Sequence, residues 1–178
     1  MNTNLKRGLA GSKYNERVAE CNNALEILKL HYNIHTLSDI PFDNLNESLG
    51  LLNDHILKKR IRHILTENER VRYAGKALDE KNLEWLGELM QASHDSLRDD
   101  YEVTGIELDT LVMAALEFPG VTGARMTGAG FGGCAIALVP EDRLQDFIQH
   151  TGNIYTAKLN RTASFYMATA GEGARRII

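Results

Sequence analysis

The sequence predicts an α+β domain with an antiparallel sheet covered by helices on one face. Two observations carry that reading. Apolar residues recur at helical spacing as far as Leu116, and beyond Gly120 the pattern changes to short runs suited to strands. Met1 to Leu9 is short, polar and basic, and is read as a terminal strand followed by a turn at Gly8 and Gly11. From Ser12 onward, Val18, Cys21, Leu25, Leu28 and Tyr32 line one face of a first helix, after which Pro41 marks a loop. Ile56, Leu57, Ile61, Ile64, Leu65, Val71, Ala74 and Leu78 mark a long helix. Leu83, Leu86, Met90 and Leu97 mark another that starts near Asn82, and the two are expected to pack antiparallel. Thr104 and Glu107 have capping-box spacing ahead of Ile106, Leu108, Leu111, Val112, Ala115 and Leu116, and Pro119 with Gly120 ends that helix. Val121 to Thr127 and Cys134 to Val139 read as strands joined by a glycine-dense turn. Pro140, Glu141 and Asp142 open a last helix, weakened at Gly152, and Ser164 to Ala170 reads as a final strand.

The 178 residues are expected to form one domain, 1–178, because their length suits a single core and no repeat or linker divides them. A net charge of −4 supplies no extended positive field, so neither nucleic acid nor an anionic membrane is expected as a partner. No apolar run approaches the roughly 20 residues of a membrane span, and a cytoplasmic location is expected. Cys21 and Cys134 form no Cys-x-x-Cys pair, and the six histidines show no metal-ligand or triad spacing, so no metal site and no catalytic residue is assigned. Asp95, Asp99, Asp100 and Glu102 form an acidic cluster that a helix end facing water explains better than magnesium does.

The most informative stretch runs from Gly123 to Cys134, where Gly128, Gly130, Gly132 and Gly133 remove β-carbons and let backbone approach a ligand. Consecutive amides in such a loop can converge on phosphate oxygens, and Thr127 can add a hydroxyl. A plain connection between two strands accounts for the same glycines. Gly128, Gly130 and Gly133 match the dinucleotide fingerprint in spacing, but the following residues read as strand where that motif opens a helix. The lysine of a P-loop is absent as well.

With that loop in view, the chain resembles the galactokinase family of the GHMP kinase superfamily, whose third motif the loop matches. The resemblance extends over Asn2-Thr-Asn4, Ser12-Lys-Tyr-Asn-Glu-Arg17, Arg62-His63, Glu67-Asn-Glu-Arg70, Ser93-His94, the run from Asp99 to Asp109, and the ending from Phe165 to Arg176. It implies the C-terminal domain of such a kinase, a fold related to the ferredoxin-like one, with residues 1–20 as a strand and turn adjoining a missing N-terminal domain. It also implies ATP-dependent, magnesium-assisted phosphorylation of the C1 hydroxyl of α-D-galactose.

Tyr14 matches the tyrosine that contacts the sugar. Gly128, Ala129, Gly130, Phe131, Gly132 and Gly133, with Thr127 beside them, match the loop bordering the transferred phosphate. His63 and His94 match the family pattern and are read as structural, and Glu67, Glu69 and Arg70 as a solvated or helix-pairing network. Val18 stands where many members carry a second arginine. The family's first motif, its Ser-rich phosphate loop and its aspartate base have no counterpart in the 178 residues. The expectation is therefore an inactive part that binds ATP and magnesium mainly through the missing domain. Self-association through the surface so exposed is expected too. A galactokinase-like sugar- and ATP-responsive regulator, an interaction module, and a GHMP kinase for another small molecule are the competing readings.

Overall fold

The computed structural model describes residues 1–5, 10–169, 171 and 173. Six helices and one β-hairpin follow in chain order. These are α1 (Ala10–Leu28), α2 (Leu45–Leu51), α3 (His55–Asp79), α4 (Leu83–Asp99), α5 (Ile106–Leu116), β1 (Gly123–Thr127), β2 (Cys134–Leu138) and α6 (Leu144–Leu159). Caps fix the two long helices. The Asp54 side chain accepts the Ile56 amide at the head of α3, and the Asn82 side chain accepts the Trp85 amide at the head of α4. No helix among the described residues is long and apolar enough to cross a membrane.

Two apolar clusters hold these elements. One gathers Leu108, Leu111 and Val112 of α5, Ala124, Met126 and Ala135 of the hairpin, and Phe147 and Tyr155 of α6. The other joins Ala24 and Leu28 of α1 to Leu57, Ile61 and Leu65 of α3, with Leu37, Ile40 and Leu52 from the intervening segment. The hairpin thus has one face covered by α5 and α6, while Ile136 and Leu138 on the other stay exposed. α3 and α4 lie antiparallel, since His63 pairs with Ser96 while Glu67, further along α3, pairs with Ser93, earlier in α4.

α4 also shields the outer edge of β1. Gly87 and Gly123 meet so closely that a β-carbon on Gly87 would lie 1.8 Å from the Thr122 carbonyl oxygen. Further along, the Met126 amide donates to His94 Nδ1 at 3.2 Å. An exposed strand edge is a template for aggregation, and here a helix occupies it.

The hairpin pairs antiparallel from Gly123↔Leu138 to Thr127↔Cys134. Beside β2, Asn2 bridges both Cys134 and Ser164, so the N-terminal segment lies between β2 and the segment around Ser164. The Asn4 side chain reinforces that join by donating to the Thr162 carbonyl at 3.0 Å and to Ser164 Oγ at 2.9 Å.

Several expectations need correction. The final strand reduces to the single bridge at Ser164. Residues 165–169 adopt no regular element, and Ala170 lies outside the described residues. Gly8 also lies outside them, and Gly11 belongs to α1, so the helix begins where a turn was expected, within residues 1–20. The Thr104–Glu107 capping box is not formed. Gly105, at φ 91°, caps α5 without a side-chain bond, because Thr104 turns inward and is buried. α2 was not anticipated, since seven residues are too few for a periodic signal.

Candidate functional site

The six residues between Thr127 and Cys134 form a loop in which Gly128, Gly130, Phe131, Gly132 and Gly133 all take positive φ, between 55° and 89°. Its second half is anchored. Phe131 N–H donates to the Val103 carbonyl at 2.7 Å, Gly133 N–H donates to Thr3 Oγ1 at 3.1 Å, and Thr3 N–H returns a bond to the Gly133 carbonyl at 2.9 Å. Gly130 is buried against Val103, whose carbonyl oxygen would stand 2.0 Å from any β-carbon added there.

Its first half is open. Thr127, Gly128 and Ala129 are exposed, and a β-carbon on Gly128 would meet nothing within 4 Å. Among the described residues, the amides of Gly128 and Ala129, at the exposed tip, have no protein acceptor within hydrogen-bond distance. Backbone donors left unpaired beside an open glycine tip are the elements of an anion-binding concavity, needing no basic side chain.

Tyr14 stands apart from this loop, on α1, with 54% of its surface exposed. The Tyr101 hydroxyl is pushed up to about 12 by burial first, then by Cys21 and, to a lesser degree, by Tyr14. Thr127 to Gly133 thus form one continuous loop, and Tyr14 lies on a separate element, α1.

The remaining polar groups are structural in geometry. His63 stacks on Tyr101 at 4.5 Å between ring centres, and its Nδ1 lies 2.9 Å from Ser96 Oγ. Burial is the main cause that lowers its pKa to about 4, so the ring is neutral near pH 7. Burial pushes the Glu67 carboxyl up, but bonds from Ser93 and Arg70, aided by the charge of Arg125, more than offset it and leave it below its usual value. That network ties α3 to α4 and β1, as the helix-pairing alternative expects, while Glu69 pairs with exposed Arg72 on its own helix.

Each member of the acidic cluster has a cation. Arg98 holds Asp95 and Asp99, Arg62 holds Asp100, and Lys59 with Arg60 holds Glu102. Among the described residues no group of three His, Cys, Asp or Glu side chains is placed to hold a metal ion. The residues present do not fit a magnesium site.

Three positions that support the loop were not singled out from the sequence: Thr3, Val103 and, behind Val103, Arg60. Thr3 and Val103 lie inside two stretches that carry the resemblance, but they act through backbone and hydroxyl contacts that residue spacing does not reveal. Arg60 did leave one, because it lies three residues after Leu57 and four before Ile64, on the apolar stripe of α3 rather than opposite it.

Comparison with known proteins agrees with this architecture. Residues 75–154 match the family model for the C-terminal part of GHMP kinases. The chain is 52% identical to a galactokinase of Enterococcus faecalis and 50% identical to one of Lacticaseibacillus paracasei, in both cases over 99% of its own length and 46% of theirs. A crystal structure of Lactococcus lactis galactokinase complexed with galactose superposes with a TM-score of 0.92 at 47% identity, over 99% of this chain and 45% of that one. The chain thus spans about half the length of the curated relatives it matches, and over nearly all its own length it is similar to galactokinases.

Proposed function

We propose that these residues form the C-terminal domain of a cytoplasmic galactokinase, which transfers the γ-phosphoryl group of ATP to the C1 hydroxyl of galactose. The observation that carries this is the agreement in sequence and fold, across nearly the whole chain, with a galactokinase solved with galactose. In the reaction the C1 oxygen forms a bond to the γ-phosphorus, the bond to the β,γ-bridging oxygen breaks, and ADP leaves. The proton of the C1 hydroxyl passes to a group outside the residues described. Such a transfer depends on positioning and on neutralising charge at the phosphoryl oxygens.

The open tip of the glycine loop contributes to both. The amides of Gly128 and Ala129 donate to phosphate oxygens, Thr127 adds its hydroxyl, and the anchored half from Gly130 to Gly133 keeps the tip in place. Preorganised backbone donors of this kind need no rearrangement as charge develops. Tyr14, half-exposed on α1, borders the sugar and accepts or donates one hydroxyl contact. The magnesium that accompanies ATP would be held by residues of a partner domain. Ile136 and Leu138 offer an apolar surface that such a domain, or a second copy of this chain, would cover.

The test is reconstitution. Alone, with magnesium, ATP and galactose, the chain is expected to release no ADP above background. Co-expressed with the remaining N-terminal portion of the Enterococcus faecalis relative, it should restore galactose-dependent release, with mevalonate and N-acetylgalactosamine as inactive comparisons. A copurifying pair that turns over mevalonate, or neither substrate, would sink this reading.

A further inference from the structure

Arg60 is 1% exposed and is the largest so completely buried residue among those described. All three arms of its guanidinium are used. Nε donates to Glu20 Oε2 at 2.6 Å, Nη1 donates to the Asp100 carbonyl, and Nη2 donates to Glu102 Oε2 at 2.9 Å. These partners belong to two separate parts of the chain. Glu20 lies on α1, the helix that carries Tyr14, whereas Asp100 and Glu102 belong to the connector between α4 and α5.

That connector is held in an unusual path. Glu102 takes a positive φ of 56°, which a long side chain rarely adopts unless its contacts impose it. The next residue, Val103, is buried, receives support from the Leu97 carbonyl, and offers its own carbonyl to the Phe131 amide. Gly130 packs against the same carbonyl. A continuous set of contacts therefore runs from α1 through Arg60, the connector and Val103 to the anchored half of the glycine loop.

We propose that Arg60 is a positioning residue that fixes the glycine loop relative to α1, so that the two binding elements move as one body. The functional part of this inference rests on the reading of the loop and Tyr14 as parts of one site; the mechanical part does not. Its chemistry requires arginine. A planar fork serves two carboxylates and a carbonyl at once, while a lysine ammonium is a point charge on a flexible stem. With Arg60 gone, Glu20 would keep Arg17 and Glu102 would keep Lys59, but the one cation that joins the two carboxylates and the Asp100 carbonyl would be lost.

Amide hydrogen exchange of the ligand-free chain tests this. In Arg60→Met, exchange at Phe131 is expected to accelerate at least tenfold, while amides of α6, which Arg60 does not touch, keep their protection. Arg60→Lys should give a smaller acceleration, and Arg72→Met, an exposed position on the same helix, should give none. Unchanged protection at Phe131 in a folded Arg60→Met chain overturns the proposal, as does a uniform acceleration over the whole molecule. If Arg60→Met does not fold, Arg60→Lys and Glu102→Asn decide in its place. Asn suits the positive φ and is too short to reach the guanidinium, and a folded variant with an unmoved Phe131 amide again overturns it. Because no ligand is present, failure here leaves the galactokinase reading standing, and failed reconstitution leaves this coupling standing.

Discussion

The two halves of the glycine loop use the same residue type for opposite purposes. At Gly130 a β-carbon has no room, because the Val103 carbonyl already occupies its place. At Gly128 there is open space, and only a φ of 80° favours glycine there. The lesson is that glycine content alone does not mark a binding surface. Part of it serves packing between distant segments, and only the remainder is available to a ligand.

Substitutions can break or sharpen that contrast. Gly130→Ala should have the largest effect, because it combines a left-handed φ with a clash against backbone that cannot swing away. A loss of about 2–4 kcal/mol is expected, read as a fall in melting temperature of roughly 5–15 °C. A fall of a degree or less would mean that the loop is not anchored at Val103. Thr3→Val is next. It keeps shape but removes the acceptor of the Gly133 amide in a buried setting, and should cost about 1–2 kcal/mol in denaturant melts. Equal stability with the wild type would show that this bond contributes nothing to the anchor. Gly128→Ala should cost the least stability, about 1 kcal/mol from the left-handed conformation, while weakening ATP affinity at least tenfold in the reconstituted protein. If it left affinity untouched, the tip would be an ordinary strand connection.

The long elements were legible because their signals are local. Four turns or more of periodic apolar residues announce α3 and α4, and the Asn82 cap stands where the sequence placed the second helix's start. The loop was legible as a glycine cluster but not as two halves, since its division depends on Val103 and Thr3, distant in the chain. The Thr104–Glu107 pattern misled for a related reason. Capping boxes compete with burial, and in this fold the Thr104 side chain is directed inward. Tyr14 was reached only through resemblance, and an exposed tyrosine early in a helix carries no chemical signature of its own. Arg60 shows the converse case. The heptad-like position was visible, but a cation flanked by Lys58, Lys59 and Arg62 reads as a solvated face until its three partners are seen.

The placement of Asn2 between β2 and Ser164 also sets the order in which the chain can mature. Asn4 must wait for a partner 160 residues downstream, which at ribosomal speeds of about 5–20 residues per second means roughly 10–30 s. During that interval the edge of β2 and the apolar surface beneath it lack their final neighbours. The helical pairs α1–α3 and α3–α4, built from nearer contacts, can form meanwhile, whereas the sheet closes last. Nascent chains stalled before Ser164 should therefore be the species most dependent on chaperones.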